Sequence, residues 1–246
     1  MAWGRRGVYP VREPETLRKA TTDMTGQAEL EWRESVPVST RFDDPYYSLE
    51  NGLAETRHVF LAGNDLPARF SDGFHVAELG FGTGLNLLAT VQAWRDAGVS
   101  GMLRYTTFEA FPMSAEDMIR AQAEFPEVGE IAPELAEHWQ AGTRAFKLPD
   151  LSFEMIVGDA RTCLPQWPGR ADAWFLDGFS PAKNPELWEE RLMAEVGAHT
   201  APNGTAATYT AAGFVRRGLA AAGFSVTRLP GYGRKRHMTL ARTGGA

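Results

Sequence analysis

His75–Ala89 reads HVAELGFGTGLNLLA, and this stretch decides the fold. His75-Val76-Ala77-Glu78-Leu79 has the character of a buried strand. Gly80, Gly82 and Gly84 follow at alternate positions, and Leu85, Leu87, Leu88 and Val91 then fall on one face of a helix. Glycine tolerates φ > 0 and lets a ligand come close to the backbone. A helix that starts directly after such a turn presents unpaired N–H groups. The segment therefore predicts strand, glycine turn, helix, with a ligand at the turn; a tight turn with no ligand is the plainer alternative.

The spacing narrows the ligand. A dinucleotide fold asks for G-x-G-x-x-G, whereas this turn is E-x-G-x-G-x-G and resembles the first motif of S-adenosylmethionine (SAM) methyltransferases. Working outward, Leu103–Glu109 reads as a second strand ending in an acid, one βα unit later. At that place Glu109 can accept from both ribose hydroxyls of a nucleoside. Leu151–Asp159 reads as a third strand, with Asp159 placed beside an adenine. Trp174-Phe175-Leu176 is a central strand, and Asp177 lies at its C-terminal tip, the edge where open α/β sheets bind ligands. Gly178-Phe179-Ser180-Pro181 is a constrained loop, and Asn184-Pro185-Glu186 starts a helix. Ala206–Thr210 is a further strand, Gly213–Ala222 a helix, and Val226–Leu229 and His237–Ala241 a closing antiparallel pair. The expected fold is α/β: a Rossmann-like, seven-stranded SAM-dependent methyltransferase sheet with a small N-terminal capping arm.

At 246 residues the chain is divided here into a flexible leader (1–28), an arm over the cofactor site (29–70) and a methyltransferase domain (71–246). Met24 is an alternative start within the leader. Glu29–Thr40 suggests an edge hairpin that breaks at Pro37. In the arm, Leu53, Thr56, Phe60 and Leu61 form a helical stripe with Glu55 and Arg57 outward. Ser114–Phe125 and Pro133–Gln140 read as helices, the first capped by Ser114.

No run of about 18 apolar residues is present, which argues against a membrane helix, and the N-terminus lacks a secretory h-region. Cys163 is the one cysteine, so no intramolecular disulfide forms, in keeping with a cytoplasmic protein. The five histidines show no metal-ligand spacing, and neither a nucleophile elbow nor a P-loop is present. No metal is expected. Net charge is −6, but Val196–Ala246 holds no Asp or Glu and carries +7 against −13 on the remainder. Such asymmetry suggests a basic face for a polyanion.

Methyl transfer from a sulfonium needs an aligned, unprotonated nucleophile. An amine is mostly protonated near neutrality, and a carboxylate beside it accepts its proton. Asp177 is the best-placed carboxylate.

Six segments carry a more specific likeness: RFDDPYYSLENGLAETRHVFLAGN (41–64), ELGFGTGLN (78–86), FEAFP (108–112), AWFLDGFSPAKNPELW (173–188), AAGFVRRGL (211–219) and GYGRKR (231–236). Together they resemble the tRNA 5-methylaminomethyl-2-thiouridine methyltransferase family, found as the N-terminal half of a bifunctional enzyme and as a stand-alone form. The resemblance implies SAM as cofactor and methylation of the exocyclic amine of 5-aminomethyl-2-thiouridine at the tRNA wobble position. It implies that Glu78, Gly80, Gly82 and Gly84 bind SAM, with Glu109 at the ribose and Asp159 near the adenine. Asp177 falls at the catalytic position, Phe179 and Pro181 line the site, and Tyr46 and Tyr47 close over cofactor or uracil. From charge alone, Arg216, Arg217, Arg234, Lys235 and Arg236 are assigned to phosphates of the anticodon stem-loop. The FAD-dependent oxidase half of the bifunctional enzyme is not expected in this chain, so the aminomethyl base is expected either from another route or from a separately encoded FAD-dependent oxidase acting upstream. Two other readings stay open: transfer to a small amine, as in aminopropyltransferases, and a non-catalytic RNA-binding methyltransferase fold.

Overall fold

The computed structural model describes residues 26–48 and 51–244. Residues 1–25 of the expected leader (1–28) lie outside them. Ala28 donates its amide to the Pro112 carbonyl at 3.1 Å, so the described chain begins already bound to the loop after the second parallel strand.

A three-stranded antiparallel sheet comes first: β1 (Leu30–Arg33), β2 (Val36–Ser39) and β3 (Asp44–Pro45). The expected break at Pro37 does not occur. Proline is tolerated at a strand position that need not donate, and Pro37 pairs with Trp32 within the hairpin. Then α1 (Gly52–Thr56) starts under an Asn51 side-chain cap and runs into a π-helical turn at Arg57–Leu61. The stripe of Leu53, Thr56, Phe60 and Leu61 is buried, as read. Arg57 is exposed, but Glu55 is not outward: it is buried at 8% exposure.

The remaining elements alternate: β4 (His75–Leu79), α2 (Leu85–Asp96), β5 (Leu103–Glu109), α3 (Ala115–Gln122), α4 (Ala132–Gln140), β6 (Ala145–Lys147), β7 (Leu151–Val157), α5 (Ala160–Cys163), β8 (Ala171–Leu176), α6 (Glu190–Ala198), β9 (Thr200–Thr208), α7 (Gly213–Ala221), β10 (Phe224–Pro230) and β11 (His237–Thr243). Asn184 opens only a short 3-10 turn, Pro185–Trp188, and makes no side-chain cap. Strand order is β10-β11-β9-β8-β4-β5-β7-β6. The seven expected strands are present, and the short edge strand β6 makes eight in this sheet among the described residues. Sequence pattern hides β6 because only Phe146 anchors it; that ring stacks on His138 at 3.9 Å and on Phe153 at 4.9 Å.

Strands β7, β5, β4, β8 and β9 run parallel, and the order reverses between β4 and β8. That reversal opens a crevice at the carboxyl ends of the strands. Successive strand residues go to opposite faces. Val76, Tyr105, Phe153 and Phe175 pack on the face covered by α2. Ala77, Leu79, Phe108, Trp174 and Leu176 pack on the face that holds Leu192 and Val196 of α6 and Val215 and Leu219 of α7. No helix among the described residues is long and apolar enough to cross a membrane.

Candidate active site

Register fixes which side chains meet at the crevice. Leu79 pairs with both Phe108 and Leu176. Gly80, Glu109 and Asp177, each one residue further on, therefore leave the sheet in one row. The row is closed by backbone bonds, Gly80 N–H to the Phe108 carbonyl (2.9 Å) and Asp177 N–H to the Leu79 carbonyl (3.1 Å). Gly80 has φ +83°, and a Cβ there would stand 2.2 Å from the Asp177 carbonyl oxygen. Only glycine lets these two strand ends approach so closely. A Cβ on Gly82 (φ +55°) would meet the Tyr46 ring at 3.1 Å. Gly84 turns the chain into α2 and sits behind Phe81, off the cavity wall.

A cavity of about 900 Å³ opens over this row. Gly80, Gly82, Glu109, Asp159, Asp177 and Tyr46 all line it, as do Tyr47 and Phe179. Glu109 braces the turn: its carboxylate accepts from the amides of Phe81 (2.8 Å), Gly82 (3.1 Å) and Phe111 (2.8 Å). Burial lifts its pKa, and those amides oppose the rise. Asp159 caps α5 through the Arg161 amide (2.9 Å) and pairs with the Arg161 guanidinium at 2.6 Å. Burial works against its charge, but the Arg161 bonds win and hold the carboxyl below its ordinary value.

Asp177 differs from both. Burial pushes it up to about 7, against the Asn86 hydrogen bond and the positive charge of Lys235. Its Oδ2 accepts from Asn86 Nδ2 at 2.8 Å. The same Nδ2 donates to Glu78 Oε1 at 2.8 Å, and Asn86 Oδ1 accepts from Thr56 at 2.8 Å. Glu78 is not on the cavity wall, contrary to the direct cofactor contact expected of it. It shares the parity of Val76 in β4, so it points under α2, fully buried, with Oε2 unpartnered. Burial holds its pKa well above the ordinary value. Asn86, which links the two carboxylates, is the residue that sequence reasoning missed. It lies within the quoted glycine segment, but its place among helix leucines gave no sign of a polar role.

The arm roofs the cavity. Phe42 stacks on Phe179 at 4.7 Å, and Tyr46 meets the same ring edge-on at 5.0 Å. The Asp44 carboxylate accepts the Ser180 amide at 2.8 Å and pairs with Lys183 at 3.3 Å; Lys183 also reaches the Asp43 carbonyl. Tyr47 donates to the Ser35 carbonyl at 2.7 Å and stands edge-on to Phe125. Pro181, expected in the lining, is not there: the loop turns away after Ser180, and Leu187 and Glu186 complete that wall.

The basic residues divide. Lys235, itself exposed, is the one of them that reaches the cavity. It stands at the cavity mouth, 2.7 Å from Glu55 and 4.0 Å from the centre of the Tyr209 ring. Tyr209 is fixed by its hydroxyl, which donates to the Gly178 carbonyl at 2.6 Å. Arg217, Arg234 and Arg236 are exposed and Arg216 is half-buried; none lines the cavity. Arg216 and Arg236 act together with Arg228 on one neighbour: desolvation and then the charges of Arg228, Arg236 and Arg216 hold the His237 imidazole below its usual value.

These residues fit a nucleoside-bearing sulfonium ligand: a cradle that any Cβ would fill, two acids beside it, an aromatic roof and a third acid left poised. Comparison with known proteins agrees. Residues 126–243 match a family described as S-adenosyl-L-methionine-dependent methyltransferase. The chain is 47% identical over 221 residues to the tRNA 5-methylaminomethyl-2-thiouridine biosynthesis bifunctional protein MnmC of Caulobacter vibrioides, across 86% of this chain and 37% of that protein. It is 45% identical over 229 residues to the protein of the same name from Aeromonas hydrophila, across 86% of this chain and 34% of the relative. The chain thus spans about a third of the length of these curated relatives. The crystal structure of MNMC2 from Aquifex aeolicus superposes with a TM-score of 0.71 at 23% identity, covering 90% of this chain and 72% of that one; it carries the fold alone. Over residues 126–243 the chain carries the pattern of the S-adenosyl-L-methionine-dependent methyltransferase family, and S-adenosyl-L-methionine is the cofactor that this match supports.

Proposed function

We propose that the chain methylates the exocyclic amine of 5-aminomethyl-2-thiouridine at the tRNA wobble position, giving 5-methylaminomethyl-2-thiouridine. The observation that carries this reading is the Asp177 carboxyl, lifted to about 7 in one row with Gly80 and opening on an aromatic-walled cavity. The names of the relatives supply the substrate class.

S-adenosyl-L-methionine supplies a methyl carbon already activated by its sulfonium. The residues of this chain do the rest. Gly80 and Gly82 leave room for the cofactor, Glu109 and Asp159 face its nucleoside end, and Glu78 acts from behind the wall. Asp177 accepts a hydrogen bond from the amine, keeps its lone pair free and takes the proton released when nitrogen bonds to carbon. Phe179, Tyr46 and Tyr47 exclude water around the base, and Pro181 shapes the loop that presents Phe179. Arg216, Arg217, Arg234 and Arg236 hold anticodon stem-loop phosphates, which set position and not sequence. In this reading residues 29–70 serve as an arm over the site and 71–246 as the catalytic domain. An FAD-dependent oxidase makes the aminomethyl base.

The test is transfer of labelled methyl from S-adenosyl-L-methionine to tRNA bearing 5-aminomethyl-2-thiouridine, with nucleoside mass spectrometry of the product. Transfer to that base supports the proposal. Label on another nucleoside, or on polyamines regardless of RNA, defeats it.

A further inference from the structure

We infer that Lys235 and Glu55 form a reading head for the pyrimidine edge, Lys235 donating to O4 and Glu55 accepting from N3–H. The inference rests on the function proposed above and extends it to base selection.

The two side chains meet as donor and acceptor, Nζ to Oε1 at 2.7 Å, on the wall of the same cavity as Asp177. Glu55 is buried, whereas the Lys235 side chain is 42% exposed at the mouth. Burying a carboxylate at a pocket wall is costly without a partner, and a surface phosphate contact would need neither Glu55 nor the Tyr209 ring beneath the ammonium. The pair is also held in place. Tyr209 is anchored to Gly178, next to Asp177, and the neighbour of Glu55, Thr56, is bonded to Asn86, which bonds Asp177. Lys235 sits on the Tyr209 ring, whose hydroxyl is bonded to Gly178 beside Asp177, and Glu55 lies against Lys235, so along these contacts the order is Asp177, Lys235, Glu55.

That order is acceptor, donor, acceptor. A uracil with an aminomethyl group on C5 presents the complement along one edge: amine N–H, O4, N3–H. C5, C4 and N3 are consecutive ring atoms, so an amine at Asp177 brings O4 to the next position and N3–H to the one after. Cytosine reverses the last two polarities, with an amino donor at C4 and an acceptor at N3. It would face Lys235 with a donor and Glu55 with a lone pair, leaving buried polar groups mismatched.

The experiment compares two anticodon stem-loop RNAs, one with 5-aminomethyluridine at the wobble position and one with the same base methylated at N3. For the wild-type protein, N3-methylation lowers kcat/KM by about 10–100-fold, the range for loss of one charged hydrogen bond. In Glu55→Leu the penalty shrinks to within about twofold, while calorimetric affinity for S-adenosyl-L-methionine stays near the wild-type value. Lys235→Met, with its fold checked by Tm, raises KM for the unblocked RNA about tenfold, and Lys235→Arg, which keeps a positive charge beside Glu55, restores most of it. An equal N3-methyl penalty in wild type and Glu55→Leu, or an unchanged KM in Lys235→Met, overturns the reading head and leaves the methyltransferase assignment intact. No transfer to either RNA by a wild-type protein that binds S-adenosyl-L-methionine overturns both.

Discussion

The two edges of the parallel sheet use polar residues in opposite ways. At the amino ends of the strands, Arg69 donates to Thr205 Oγ1 (2.6 Å) and to the carbonyls of Asn64, Asp172 and Asn203 (3.0–3.2 Å). Asn64 in turn donates to Phe60 and Trp174 carbonyls and accepts from Thr205. Each of these groups has its partners. At the carboxyl ends, two carboxylates share one amide, Glu78 keeps an unpaired oxygen, and Asp177 stays poised near neutrality. A closed network stabilises and nothing more. An open one retains capacity to bind and to move a proton.

The largest effect that would break this contrast is on catalysis. Asp177→Asn keeps the volume and loses the proton acceptor, so kcat falls about 10²–10⁴-fold with cofactor affinity near wild type by calorimetry. Full activity in that variant would strip the open edge of its role. Next comes stability at the closed edge. Arg69→Met leaves several acceptors buried without a donor, at a cost of about 2–4 kcal/mol. A fall in Tm with kcat preserved below the transition is the expected result; a lost kcat with unchanged Tm would erase the distinction.

The pH profile sharpens the comparison further. Asp177 must be ionised to accept the amine proton, so kcat/KM rises with pH through a limb near 7 in the free protein. The Asn86 bond favours the ionised form, hence Asn86→Ala moves the limb upward, measured by initial rates across pH 5.5–9 buffers (about that range suffices). The smallest effect is thermal. With its folded pKa raised from 3.8 to about 7, Asp177 keeps a proton in the folded state that the unfolded chain has released between those values. Stability therefore declines as pH climbs through that window. Asp177→Asn lacks this loss, so its Tm exceeds wild type at about pH 8 and matches it below about pH 4.

Periodicity and turn chemistry made most of the sheet legible. The glycine turn, the strand ends at Glu109 and Asp177 and the closing hairpin are local patterns, and local patterns survive folding. What escaped depends on meetings between distant segments. Glu55 reads as an outward acid because helical spacing says nothing about a lysine 180 residues away. Lys235 reads as one of a basic run because net charge does not record which member reaches the cavity mouth. Glu78 belongs to a motif, but strand parity sends it beneath α2. Asn86 looks like an interruption of leucines until Thr56, Glu78 and Asp177 are seen around it.

The Asp44–Ser180 bond joins positions 136 residues apart. During synthesis the roof leaves the ribosome long before the loop it must clasp. The cavity therefore cannot acquire its shape before β8 has taken its place beside β4. A nascent chain halted before that strand would hold its glycine turn and its arm with nothing yet to join them.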